Sequence, residues 1–152
     1  MHLITLMLTL ACAPAQGMVP PGTVATGVEL QAALDEARQE DSDAAMMVAR
    51  VENTETTRVN LIHRTTPHNA IIHATGWEVH HITAGRATAV TGGTVERSTG
   101  PDGARVARIV GGESREVTVG DVVIIPAGTP HWYSEIDGSV TYLEVRYDPG
   151  ES

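Results

Sequence analysis

The stretch Gly120-Asp121-Val122-Val123-Ile124-Ile125-Pro126-Ala127-Gly128-Thr129-Pro130-His131 decides how the rest of the chain is read. Its pattern is G-x5-P-x-G-x2-H. Gly120-Asp121 makes a tight turn. The run Val122 to Ile125 is apolar and β-branched, and forms a buried strand. Pro126 ends the pairing of that strand, because proline has no amide hydrogen to donate. Gly128 permits a bend, and the bend turns His131 back toward the interior. Each glycine and proline has a backbone task, and the histidine is what the turn presents.

The flanking sequence is β in character. Short segments rich in Val, Ile and Thr span residues 45–52, 57–64, 70–73, 78–83, 87–91, 104–110, 116–119, 122–125, 131–135 and 140–147. Turn signals separate them, among them Thr91-Gly92-Gly93, Gly100-Pro101-Asp102-Gly103, Val110-Gly111-Gly112 and Asp137-Gly138. Many short strands between regular turns predict an all-β antiparallel jelly-roll barrel. One short amphipathic helix precedes it, over residues 28–38. Leu30, Ala33, Leu34 and Ala37 share one face and Glu29, Asp35 and Glu36 the other, with Thr26 as the cap.

Upstream, residues 3–10 form an apolar run too short for a membrane-spanning helix, which needs roughly 20 residues. It suits the core of a secretory signal, and Ala13-Pro14-Ala15 suits its cleavage site. Thr9-Leu10-Ala11-Cys12 resembles a lipoprotein box. The expected organisation is a signal over residues 1–15, a linker and the short helix over 16–43, and a barrel over 44–148. An exported protein follows, in the periplasm or cell envelope, with membrane anchoring through a lipidated Cys12 as an option.

Composition narrows the function. The 152 residues suit one domain, and the net charge is −9. All ten basic residues are arginines, which excludes lysine Schiff-base chemistry and a P-loop lysine. The acidic balance argues against binding a nucleic-acid backbone. There is no phenylalanine, so aliphatic residues must build the core. Of the seven histidines, five lie between His63 and His81.

The G-x5-P-x-G-x2-H stretch resembles the second motif of the cupin superfamily, with Glu135 where an asparagine often follows. The first cupin motif is a histidine pair, a glutamate and a later glycine. Glu78 and Gly85 fit its E-x6-G, and His73 fits its second histidine, while Ile71 stands where the first would fall. The resemblance covers residues 45–147. Thr91-Gly92-Gly93 and the run from Pro126 to Trp132 are similar to those of small exported single-domain cupins. The resemblance implies a metal-binding barrel and a small-molecule substrate or ligand. The reactions that such barrels host include oxygenation, isomerisation and lyase chemistry.

Strand alternation adds to this. If Glu78 points inward, His80 does too, while Val79 and His81 point out. The interior then holds His73, Glu78, His80 and His131. Two imidazoles and one carboxylate leave open coordination positions, which favours Fe(II), with Mn or Zn possible. The resemblance implies His73, Glu78 and His131 as the metal set. His80 and His63 are the catalytic candidates for moving a proton, His63 because it alternates with Val59 and Leu61 on an apparently inward face. His80 could alternatively replace the ligand missing at Ile71, or only fill space. Plainer readings are a backbone hydrogen bond for His131 and an Arg146 salt bridge for Glu78. Arg64 and Arg146 read as surface ion pairs, although they, Tyr142 and Glu144 would meet a substrate if they pointed inward. The functional expectation is metal-dependent chemistry on a small oxygenated molecule. The alternative is a non-catalytic metal- or ligand-binding module of the cell envelope. A homodimer is also expected, through Val79, His81 and the 45–52 strand.

Overall fold

The computed structural model describes residues 22–150. The segment expected to be a signal, residues 1–15, with His2 and Cys12, lies outside the described residues. One helix, α1 (Gly27–Glu40), precedes eight strands: β1 (Met46–Asn53), β2 (Thr57–Arg64), β3 (Trp77–Thr91), β4 (Thr94–Thr99), β5 (Arg105–Val110), β6 (Glu113–Thr118), β7 (Val122–Ile125) and β8 (His131–Tyr147). All the pairings are antiparallel. One sheet runs β1-β2-β8-β3-β6, with β7 also on β3, and β4-β5 forms a hairpin apart. This is the expected antiparallel jelly-roll barrel.

Two strands depart from the sequence expectation. Residues 78–83 and 87–91 form the single strand β3, and residues 131–135 and 140–147 the single strand β8. The Asp137-Gly138 signal lies inside a strand instead of in a turn between strands, and Gly85, the motif glycine, likewise lies within β3. Register shifts between Ile82 and Ala84, Gly85 and Arg86, and Thr88 and Ala89 absorb the curvature. Gly85 has φ +75°, and a Cβ there would run into the Ser139 carbonyl of the paired strand. A bulge of this kind lets one strand pass from one face of a barrel to the other.

The 70–73 segment is not a strand. Its contribution is the isolated bridge between Ile71 and His131, and an Ala70 amide donated to the Ala107 carbonyl at 2.9 Å. These bonds tie the β4-β5 hairpin to β8. Strand β4 was not expected, because its residues are almost all exposed and carry no apolar alternation.

Helix α1 begins at a capping box. The Glu29 amide donates to the Thr26 hydroxyl, and the Glu29 carboxylate accepts from the Thr26 amide at 2.7 Å. The helix buries Leu34 with Leu30, Ala33 and Ala37 against Met47, Ala49 and Leu61. The two faces of β2 thus serve two cores. Leu61 faces the helix, and Ile62 faces the barrel interior, which holds Ile82, Val117, Tyr133, Val140 and Tyr142.

Gly85→Ala should lower stability by roughly 2–4 kcal/mol, through positive φ and the clash with Ser139. Urea unfolding measures this, and an unchanged midpoint would show that β3 can bend elsewhere.

Candidate metal centre

Alternation along β3 places Glu78, His80 and Ile82 inside and leaves His81 exposed. Glu78 is only 3% exposed. Its Oε1 lies 2.9 Å from His73 Nε2 and 3.8 Å from Arg146 Nε. Its Oε2 lies 3.2 Å from His131 Nε2 and 3.4 Å from His80 Nε2. Arg146, the alternative partner for Glu78, is thus present but at the longest of the four distances.

The Pro126–His131 turn positions both other donors. The Gly128 amide donates to the His73 carbonyl at 2.8 Å. Ile71 and His131 exchange amide–carbonyl bonds at 3.1 and 3.0 Å. His73 is therefore held by the same turn that delivers His131, although the two are far apart in sequence. Ile71 sits in the bridge, 41% exposed, and offers no donor side chain.

His131 Nδ1 lies 3.0 Å from the Thr129 carbonyl, an acceptor, so the ring must donate there. That bond fixes the tautomer and leaves a lone pair on Nε2. This Nε2 is buried and has no hydrogen-bond partner among the described residues, and nor has Nε2 of His80. The approach of both atoms to Glu78 is short but lacks hydrogen-bond geometry. Donor atoms of His73, Glu78 and His131 all lie within 4.8 Å of one another. Buried lone pairs without donors, facing a buried carboxylate, are what a cation would satisfy. The backbone bond to His131 and a metal-ligand role are complementary, since a metal-bound imidazole commonly donates its other nitrogen to a carbonyl.

Burial alone would push the Glu78 carboxyl up; His131 and His80, followed by His73, hold it well below the usual carboxylate range where their rings carry the protons to donate toward it. Burial lowers His73, with Glu78 opposing it. Burial also keeps the Tyr133 phenol protonated. Its hydroxyl lies 3.1 Å from His80 Nδ1. On the far side, His80 Nε2 is 4.0 Å from Glu144 Oε2. Glu78, His80 and Glu144 form a second group of close potential donors.

A pocket opens onto these residues, about 500 Å³ including its open mouth. Ile71, Val123, Ile125, Trp132 and Tyr133 supply much of its wall. Arg64, Tyr142 and Glu144, which the sequence places at a substrate only if they point inward, also line it. His68 is exposed, as expected from its loop, yet borders the same mouth.

The structure does not bring His63 to the pocket. The inward face of β2 is that of Ile62 and Arg64, not that of Leu61 and His63. Leu61 is apolar because α1 covers it, and His63 shares that outer side, 2.9 Å from Thr141 Oγ1. Arg64 is correspondingly inward, not a surface ion pair.

No protein-family model matches this sequence, and no curated protein does. Solved structures do resemble the fold. A Bacillus halodurans protein aligns over 87% of this chain and 86% of its own, at 14% identity and TM-score 0.55. The cupin domain of Schizosaccharomyces pombe Cnp3 aligns over 69% of this chain and 62% of its own, at 10% identity and TM-score 0.52. The barrel has the cupin fold. The Fe(II) form of HppE shares that cupin architecture at 12% identity and TM-score 0.52, over 70% of this chain and 52% of its own.

Burial, then the Arg38 charge, holds the His63 imidazole below its ordinary 6.5. The unfolded chain therefore takes up this proton first. The resulting stability is present above pH 6.5 and is lost as the pH falls toward the folded value. The thermal midpoint should drop from about pH 7.5 to about pH 5.5, and less steeply in His63→Gln. Equal slopes would assign the drop to other groups.

Proposed function

We propose that the barrel holds a divalent metal ion on His73, Glu78 and His131 and acts on a small oxygenated molecule in the adjoining pocket. The observation that carries this is the buried, unpartnered Nε2 of His131, fixed as a lone pair by the Thr129 carbonyl and aimed at Glu78. Two imidazoles and a carboxylate suit Fe(II), with Mn or Zn also compatible. HppE, a neighbour in fold, is an Fe(II) protein, which supports that order. Such an ion supplies Lewis acidity toward a carbonyl or enol oxygen, or a site for O2.

The remaining work falls to this chain's own residues. His80, between the Tyr133 hydroxyl and the Glu144 carboxylate, is the group placed to relay a proton, with its tautomer open. His63 is on the wrong face for that task and is not proposed for it. The apolar wall limits water around the reacting atoms. Oxygenase, isomerase and lyase chemistry all use these parts. A second reading, a non-catalytic metal- or ligand-binding module, draws on Ile71, which leaves the family's fourth ligand position without a donor.

Export, with the option of a lipid on Cys12, is part of the same proposal and rests on the sequence of residues 1–15. Pairing of two copies is also proposed. The outer face of β3 and β7 carries Val79 and His81 beside Val122 and Ile124, the last 70% exposed. Light scattering should give twice the chain mass for the wild type and a single mass for Ile124→Asp. A monomeric wild type removes the dimer.

Elemental analysis of anaerobically purified protein tests the metal. Near-stoichiometric metal is expected in the wild type. His131→Ala and His73→Ala should each lose most of it, with affinity down at least about 10- to 100-fold while the fold persists by circular dichroism. Metal-free wild type that also fails to bind added Fe(II), Mn(II) or Zn(II) overturns the proposal. Metal without turnover of any oxygenated substrate favours the binding module.

A further inference from the structure

Arg64 is a half-buried guanidinium in a pocket that otherwise contains little positive charge. Its Nε donates to the Tyr142 hydroxyl at 2.9 Å. Among the described residues no carboxylate lies within ion-pair distance of it, although Glu144 lines the same pocket. Glu144 is engaged elsewhere. Its Oε1 accepts from Asn60 at 2.8 Å and its Oε2 faces His80. Tyr142 is almost wholly buried and stacks on His80 with ring centroids 4.5 Å apart. The arginine is thus anchored to the wall of the candidate centre, with its terminal nitrogens uncommitted. Trp132, in the same wall, has a buried indole N–H that meets no acceptor. With a cation on His73, Glu78 and His131, the hydrogen-bonding capacity still open beside it is donor capacity, from Arg64 and Trp132.

A ligand that matches free donors is one that offers only acceptors. With Nε committed to Tyr142, the terminal edge of the guanidinium, its two Nη groups, is open and favours a planar, bidentate anion. Charge points the same way. A divalent ion would balance Glu78 and Glu144 and leave Arg64 as the uncompensated charge. We propose that Arg64 binds the carboxylate of a small carboxylic acid whose other oxygen faces His73, Glu78 and His131. This rests on the metal-site reading and names its substrate class. Arg64 is the specificity residue, Tyr142 positions it, and Trp132 offers a further donor.

The test is titration calorimetry of the zinc-loaded full chain with a matched pair, 2-hydroxybutyrate and 2-hydroxybutyramide. The wild type should bind the acid at least about tenfold more tightly than the amide. Arg64→Gln should remove that preference while zinc content stays at the wild-type level. Arg64→Lys, which keeps the charge and loses the fork, should keep part of it, and decides the matter if Arg64→Gln unfolds. A wild type that binds the acid no better than the amide, or not at all, overturns the proposal. So does an Arg64→Gln or Arg64→Lys protein with the full wild-type preference. Failure of the metal reading shows separately, as a wild type that takes up no zinc. The same pair titrated into metal-free protein then tests Arg64 alone, and equal affinity for acid and amide there overturns it.

Discussion

A carboxylate buried inside an aliphatic barrel sets the terms for everything around it. Glu78 cannot keep its charge there without compensation, since an unpaired ion in such surroundings is very costly. Three imidazoles and one guanidinium crowd its two oxygens at 2.9 to 3.8 Å. Imidazoles can be donors or lone-pair bearers, so compensation by them alone is conditional on their protons. His131 has already given its proton to the Thr129 carbonyl and has none left to offer Glu78. The carboxylate and that lone pair repel each other unless something positive sits between them. The site is therefore one that a cation would complete, with Arg146 adding positive charge at 3.8 Å from Glu78.

The same constraint explains the backbone. Residue 73 lies in an irregular segment that would be free to drift, and the Gly128 amide pins it. Residue 131 opens β8, and Ile71 pins that. One turn thus carries the geometry of two donors, while the bent strand β3 carries the third. Pro126 and Gly128 do more than shape a loop: they hold two distant parts of the chain at a fixed spacing.

Much of this could be read in the sequence. The G-x5-P-x-G-x2-H pattern and E-x6-G point to a barrel with Glu78 and His131 inside, and strand alternation puts His80 beside them. The misses have physical causes. Asp137-Gly138 reads as a turn, because a glycine in a bulge looks in sequence like a glycine in a hairpin. Strand β4 carries almost no buried side chain, so no pattern announced it. Alternation inverts the orientation of β2 at His63 and Arg64, because Leu61 is hydrophobic for α1 and not for the barrel. A strand covered on both faces has no alternation from which to choose a side. That choice hid Arg64, and with it the cation in the pocket wall.

Strand β8 is the last strand of the described residues, yet it lies in the middle of the sheet, between β2 and β3. It must thread between strands that come much earlier in the chain. Pairings over such separations are slow to form, because loop closure is paid for before contacts reward it. The β1-β2 hairpin and α1 can associate locally, but the interior stays open to water until β8 arrives. His131, at the head of that strand, joins Glu78 only then. Convergence of these side chains requires the long-range β8 pairings, so a metal held by them would report completed topology and not an early template.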